Sequence, residues 1–537
     1  MANITFTFSN QPPVTIAALI GETLLDVARK ANVAIDAPCN GNGSCKKCKV
    51  NLNGAEVLAC QTKVTDEDIS VAIPDIASAY QSRMKTADLS DERELSIFRT
   101  IQDSLSEFDK DQTSGIGLAV DIGTTTVAAA LVDLRTGEVI SKASAGNAQI
   151  RYGADVIHRI VEAGKPGGLK LLNDAIVSET ITPLINAMSS TPERIVRAVI
   201  AGNTTMNHIF ANVPPDTIRL EPYEPVFYEH APFKASELGL PINPDADVLL
   251  APNVGSYVGG DITAGTLASL LWKRESGYAL FADFGTNGEL VFGNNEFMFT
   301  CACSAGPALE GGDMSCGMRA ADGAIEACTI DADTFEPTFT VIGGGKPVGI
   351  CGSGIIDSVA EMFRTGIIDP KGKIAVSGER VKVSEADGVK SYVLAFGKDT
   401  ATGHDVEISE IDLDNFIRAK GAIFSAIRTM LNAIDFTVDA IEEVLVAGGI
   451  GSGINFDNAV RIGMLPDVDR SLFRYVGNTS LAGAYAMLLS DSACEKVEEI
   501  KQNMTYIELS SDPKYMDEFV AACFLPHTDA NLFPSVS

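Results

Sequence analysis

Positive charge is what this chain has least of. Its 537 residues carry 41 Lys and Arg against 71 Asp and Glu, a formal net charge of −30. So acidic a surface is repelled by phosphate backbones and anionic lipid, which argues against nucleic acid and membrane surfaces as partners. Tryptophan occurs once, and the five histidines (His158, His208, His230, His404 and His527) lack the spacing that metal ligation needs. No stretch approaches the roughly eighteen apolar residues of a membrane span. The N-terminus also lacks a basic region ahead of a signal-like apolar core. The length is enough for several domains.

Cysteine is present, and unevenly. Cys39, Cys45, Cys48 and Cys60 fall in one short region, in the pattern C-x5-C-x2-C followed by a fourth cysteine. Plant-type ferredoxins hold a two-iron, two-sulfur (2Fe-2S) cluster with the related spacing C-x4-C-x2-C…C. Gly41 and Gly43 let the loop curl, turning N–H groups toward the sulfurs. The alternative is zinc, but zinc ribbons show two C-x2-C knuckles and this chain has one. The eleven residues between Cys48 and Cys60 are fewer than plant ferredoxins use. Upstream, a β-grasp is expected: strand Ile4–Ser9, a turn, strand Val14–Ala17 and helix Glu22–Ala31. The other seven cysteines (Cys301, Cys303, Cys316, Cys328, Cys351, Cys494 and Cys523) suggest buried reduced thiols in a cytoplasmic protein, hence a reducing compartment, and an anaerobic one if the cluster works at low potential. For Cys301 and Cys303, in C-x-C, a buried thiol pair is favoured over metal.

From Gly117 the chain changes character. A buried strand runs into Asp121-Ile122-Gly123-Thr124-Thr125-Thr126 and returns through Val127–Leu134. The same design recurs at Asp283-Phe284-Gly285-Thr286-Asn287-Gly288-Glu289, about 160 residues later. An aspartate at a strand end, followed by glycine and hydroxyl residues, can hold Mg²⁺ and offer N–H donors to phosphate. One such loop is weak; two indicate internal duplication. A further strand, Val444–Val446, runs into Gly448, Gly449 and Gly451, where backbone can approach an adenosine closely. Gly477–Ala484 opens a small-residue helix suited to tight helix contact.

Together these segments resemble the actin, sugar kinase and heat-shock chaperone superfamily, with phosphate 1 at Asp121–Thr126, phosphate 2 at Asp283–Glu289, adenosine at Val444–Gly451 and connect 2 at Gly477–Ala484. Connect 1 has no firm match. The expected fold is an α+β, β-grasp ferredoxin-like domain followed by a duplicated α/β ribonuclease H-like (actin-like ATPase) domain. Its divisions are 1–76 (ferredoxin-like), 77–114 (a linker with a possible amphipathic helix, or a surface helix of the next domain), 115–490 (ATPase, in two lobes) and 491–537 (an extension without a readable motif).

Such a fusion is similar to the reductive activators of corrinoid-dependent enzymes. The stretches Arg151–Ile157, Ala201–His208, Val258–Ile262 and Cys303–Gly312 carry that likeness, although longer members have an additional domain where this chain has its linker. The resemblance implies an ATP-hydrolysing one-electron reductase that returns a Co(II) corrinoid protein to Co(I). It implies a 2Fe-2S cluster on Cys39, Cys45, Cys48 and Cys60, together with ATP and Mg²⁺, an upstream low-potential electron donor, and an assembly that could be a homodimer. Asp121 and Asp283 would position Mg²⁺ and phosphate. Gly123, Thr124, Thr125, Gly285, Thr286 and Asn287 would contact phosphate, and Gly448, Gly449 and Gly451 would flank adenosine. Asn203 and Thr204 face the γ-phosphate or cap a helix; Glu289 or Asp261 orders the attacking water. Ser304 is a corrinoid-side contact or a plain loop hydroxyl. The competing functions are an activator of a radical dehydratase, a small-molecule kinase with a redox-sensing appendage, and a binding protein without turnover.

Overall fold

The computed structural model describes residues 1–8, 12–31, 33, 35, 37, 41, 48–73, 85–86, 114–385, 387–449 and 453–536. Cys39, Cys45, Gly43 and Gly451 lie outside the described residues, as does nearly all of the 77–114 segment. The described chain divides into two compact units. One holds the N-terminal sheet, residues 114–251 and Met487–Ser490; the other holds Pro252–Ala486 and residues 491–536.

The N-terminal sheet is built from β1 (Ala2–Thr7), β2 (Val14–Ala18), β3 (Lys49–Leu52), β4 (Ala55–Leu58) and β5 (Ile69–Ala72), in the order β2-β1-β5-β3-β4. Alternation along β1 buries Ala2, Ile4 and Phe6 on one face. Against that face lies α1 (Leu24–Lys30), which buries Leu24, Leu25, Val27 and Ala28. The helix is shorter than expected at its start, because Thr23 leaves the helical region and its hydroxyl accepts from the Asp26 N–H as an N-cap.

Beyond this sheet, the first unit contains β6 (Ile116–Ile122), β7 (Thr126–Asp133), β8 (Val139–Gly146), β9 (Ile195–Gly202) and β10 (Asp247–Leu250). They are ordered β10-β9-β6-β7-β8, with short pairs at Phe233–Lys234 and Lys85–Thr86 on the two edges. The strand β9 runs parallel to both β6 and β10, whereas β6, β7 and β8 form an antiparallel meander. The second unit repeats the plan. Its β11 (Tyr278–Phe284), β12 (Gly288–Gly293), β13 (Met298–Cys303), β14 (Ile441–Gly448) and β15 (Phe473–Gly477) are ordered β15-β14-β11-β12-β13. Here β14 is parallel to β11 and β15, and β11 to β13 form the meander. The duplication suggested by two short loops therefore extends to five strands in each unit, with the same order and the same directions. The central strands β6 and β11 are nearly continuous apolar runs, as strands covered on both faces require.

Residues 491–536 complete the second unit. Phe533 is buried and its ring lies 5.0 Å from that of Phe424 on the long helix Glu410–Ala433. Burial raises the thiols of Cys301, Cys303, Cys316, Cys328 and Cys523 above their ordinary range. Cys301 and Cys303 are a buried pair on β13. Among the described residues, no helix is long and apolar enough to cross a membrane.

Candidate functional site

At the N-terminal site, the short cysteine spacing has a local cause. Strands β3 and β4 are four residues each and are joined by Asn53-Gly54, both with positive φ (53° and 88°). This is the two-residue turn whose twist suits a hairpin. Ala59 continues the ladder by donating to the Cys48 carbonyl at 2.7 Å. Cys48 and Cys60 therefore flank one hairpin, with their sulfurs 3.2 Å apart and buried. The Cys60 N–H points at the Cys48 sulfur at 3.5 Å, and Gln61 Nε2 points at the Cys60 sulfur at 3.5 Å. Gly41, at φ +89°, passes so close that a Cβ would stand 3.5 Å from the Cys60 Cβ and 3.1 Å from Leu25 Cδ2. Buried paired sulfurs with N–H donors aimed at them fit an anionic iron–sulfur group.

The first phosphate-type loop lies in the first unit. Asp121 is paired with Ala128 on β7 and Ala201 on β9. Gly123 must be glycine, since a Cβ would come 2.5 Å from the Thr126 carbonyl oxygen. Asn147 Nδ2 donates to the Gly123 carbonyl at 2.9 Å. Asn203 caps the helix Thr204–Phe210, its Oδ1 accepting from the Met206 N–H at 3.0 Å; its Nδ2 also reaches Thr124 Oγ1 at 3.2 Å. Capping and loop contact thus coexist in one side chain, and Thr204 is the first residue of that helix.

No sequence motif identifies Arg159. It is fully buried on the helix Val156–Ala163, in the stretch after Arg151–Ile157. Its guanidinium donates to the Thr124 carbonyl, to the Gly153 carbonyl at 2.9 Å and to Gln149 Oε1 at 2.9 Å. A cation thereby braces the phosphate-1 loop from beneath. His208, on the neighbouring helix, is neutral and structural. Its Nδ1 donates to the Thr204 carbonyl, its Nε2 accepts from the Val226 N–H, and burial pushes its pKa down to about 4.

The second loop lies in the second unit. Asp283 is paired with Glu289 on β12 and with Ala447 on β14. The Gly285 N–H donates to the Asn287 carbonyl at 2.9 Å, closing the turn. Gly448, at φ +95°, lies against the aspartate: a Cβ there would stand 2.5 Å from Asp283 Oδ1 and 2.4 Å from the Phe284 carbonyl oxygen. The adenosine-type glycines and the second loop are therefore in direct contact, and Gly449 N–H donates to the Phe284 carbonyl at 3.0 Å. Burial raises the Glu289 carboxyl well above its ordinary range, reinforced by the charges of Asp261 and Asp283. Three carboxyl groups gather here. In the first unit, the strand position paired with the aspartate is Ala128 in place of a carboxylate.

Glu310 lies in the stretch Cys303–Gly312, but nothing in the sequence assigns it a role. Its Oε2 accepts from Thr286 Oγ1 at 2.9 Å. Ser304 is exposed, directly after β13. The helix Gly260–Ser269 meets the helix Thr479–Leu489 so closely that a Cβ on Gly483 would come 2.0 Å from the Ala264 carbonyl oxygen. Sequence offered only Val258–Ile262 as a signal, without a role.

A ferredoxin-type sheet and a twice-repeated actin-like sheet define the class: an ATPase fused to an iron–sulfur domain. Known proteins narrow it. Residues 7–68 match the 2Fe-2S iron-sulfur cluster binding domain, 116–274 match the RACo middle region, and 277–537 match the C-terminal domain of RACo, the ASKHA domain. The corrinoid activation enzyme RamQ of Eubacterium limosum is 30% identical over 92% of this chain and 95% of its own length. The [Co(II) methylated amine-specific corrinoid protein] reductase of Methanosarcina barkeri is 25% identical over 72% of this chain and 73% of its own. The solved structure of a reductive activator for corrinoid, iron-sulfur protein covers 100% of both chains at 37% identity and a TM-score of 0.74. This chain belongs to the family of reductive activators of corrinoid proteins.

Proposed function

We propose that this protein is an ATP-dependent reductase that passes one electron from its ferredoxin-type domain to a Co(II) corrinoid protein, restoring Co(I). The observation that carries the reading is the fusion itself: a full-length match to a reductive activator, with paired buried cysteines at one end and a duplicated ATPase fold after them. When bound, a 2Fe-2S cluster supplies a one-electron carrier. Cys48 and Cys60, with Cys39 and Cys45, would hold it; the backbone N–H of Cys60 and the Gln61 amide would stabilise negative charge on the sulfurs.

ATP is the second substrate. Asp121 and Asp283 would position Mg²⁺ and phosphate, with Glu289 and Asp261 lining the second loop. Gly123, Thr124, Thr125, Asn203, Thr204, Gly285, Thr286 and Asn287 would contact phosphate, and Gly448, Gly449 and Gly451 adenosine. Ser304, exposed beside the second loop, would face the corrinoid. Nucleotide can favour electron transfer only through a state that binds the Co(II) partner differently, since an electron's energy responds to structure and ligation. The divisions 1–76, 77–114, 115–490 and 491–537 complete the proposal, with a cytoplasmic setting, a separate low-potential electron donor and a homodimer as the assembly to test.

The test is anaerobic. Chemically reduced protein is mixed with a Co(II) corrinoid protein, and the Co(I) absorption is followed with and without MgATP. Conversion that needs ATP supports the reading; equal rates without nucleotide overturn the coupling, and colourless zinc-loaded protein overturns the redox role.

A further inference from the structure

The water that attacks ATP needs a carboxylate or amide to orient it. We propose that Glu310 is that residue. The inference rests on reading Asp283–Glu289 as a phosphate-binding loop, and it is carried by geometry around Thr286. Glu310 Oε2 is fixed by the Thr286 hydroxyl at 2.9 Å. Its other oxygen, Oε1, accepts no hydrogen bond from any described residue. It lies 3.7 Å and 3.4 Å from where a Cβ would stand on Gly285 and Gly449. Those two glycines belong to the phosphate and adenosine segments. One carboxylate oxygen is thus oriented, while the other faces space kept open by two residues without side chains.

The carboxylate is also held in place. It ends the single turn Pro307–Glu310, whose Ala308 and Leu309 are buried in the core of the second unit. The next residue, Gly311, has φ +77° and packs on the Met318 backbone, where a Cβ would come within 2.5 Å of its carbonyl oxygen. A side chain carried on so anchored a turn can present a water in a fixed direction.

The alternatives are worse placed. Glu289 is buried, and the neighbouring Asp261 and Asp283 favour its protonated form, which cannot accept a proton. Asp261 Oδ1 is occupied by the Ile262 N–H of its own helix. In the step proposed for Glu310, the water oxygen attacks the γ-phosphorus as the bond to the bridging β,γ-oxygen breaks. ADP leaves, inorganic phosphate forms, and the water proton passes to Glu310 and then to solvent.

The experiment uses the full-length, cluster-loaded protein. Hydrolysis of MgATP is measured in single turnover, and affinity is measured with the non-hydrolysable adenosine 5′-(β,γ-imido)triphosphate, for E310Q, E310A and T286V. E310Q and E310A are expected to slow hydrolysis about a hundredfold or more, with analogue affinity within about threefold of the parent. Hydrolysis near the parent rate in both variants overturns the proposal, as does a loss of analogue affinity that matches the loss of rate. T286V separates the two readings. If T286V leaves analogue affinity unchanged, the phosphate-loop reading itself fails. If T286V weakens binding while E310Q hydrolyses normally, only the role of Glu310 fails.

Discussion

Gly448 and Asp283 lie so close that no side chain fits at position 448. The glycine sits at φ +95°, and any Cβ would stand 2.5 Å from the aspartate's Oδ1. The adenosine-type turn can therefore close only on a residue without a side chain, and only while the second loop keeps its present shape. The substitution G448A forces both a left-handed alanine and a displaced carboxylate. It should cost about 1–3 kcal/mol of stability and lower nucleotide affinity at least tenfold, as read by thermal unfolding and by titration with a nucleotide analogue.

The cysteine hairpin separates ligand loss from turn loss. C60S should abolish the visible absorption of the iron–sulfur group and lower the iron content, while the ATPase domain still binds nucleotide. G54A strains only the turn, because nothing lies within 4 Å of its added Cβ. It should keep the cluster at a cost of about 1 kcal/mol. Iron analysis and absorption spectra of the two variants distinguish these outcomes.

Arg159 invites a conservative test. R159K keeps the charge but cannot reproduce a planar fork that reaches the carbonyls of Thr124 and Gly153 together with Gln149. Each buried acceptor left unmatched costs about 1–3 kcal/mol. R159K should fold with reduced stability and bind nucleotide about tenfold more weakly, whereas R159A should accumulate poorly. Denaturant titration and nucleotide binding on the same preparation provide the check.

Lys420 gives a pH signature. It is fully buried on the helix Glu410–Ala433, donates to the carbonyls of Phe524 and Pro526, and has its pKa pushed down by burial from 10.5 to about 7. Between those values the unfolded chain binds a proton that the folded protein does not. Stability should therefore rise with pH across that window and fall as pH drops toward 7. K420M should flatten this dependence while weakening the attachment of residues 524–526. Urea midpoints at several pH values from 7 to 10 are the measurement.

Much of this architecture was legible because its signals are local. Each D-x-G-T loop is a strand end and a turn within a few residues, and its repetition pointed to the doubled sheet. Asn203 showed its capping role in its residue type, though not its simultaneous contact with Thr124. The contacts of Arg159 and Glu310 were illegible for the opposite reason. Their partners, Thr124 and Thr286, lie 35 and 24 residues away, and neither residue type is unusual in its own helix or turn. The close approach of Gly483 to Ala264 was hidden too, since the two positions are more than two hundred residues apart in sequence. The short interval from Cys48 to Cys60 looked like a defect of the ferredoxin pattern until the Asn53-Gly54 turn explained it.

That hairpin also bears on the order of events at birth. Two of the four proposed sulfur ligands, Cys48 and Cys60, come together through contacts almost adjacent in sequence, and such hairpins form in about 1–10 μs. The remainder of the sheet needs β1 to meet β5, more than sixty residues apart, a slower closure. A newly made chain can thus bring the Cys48 and Cys60 thiols together before its sheet is complete.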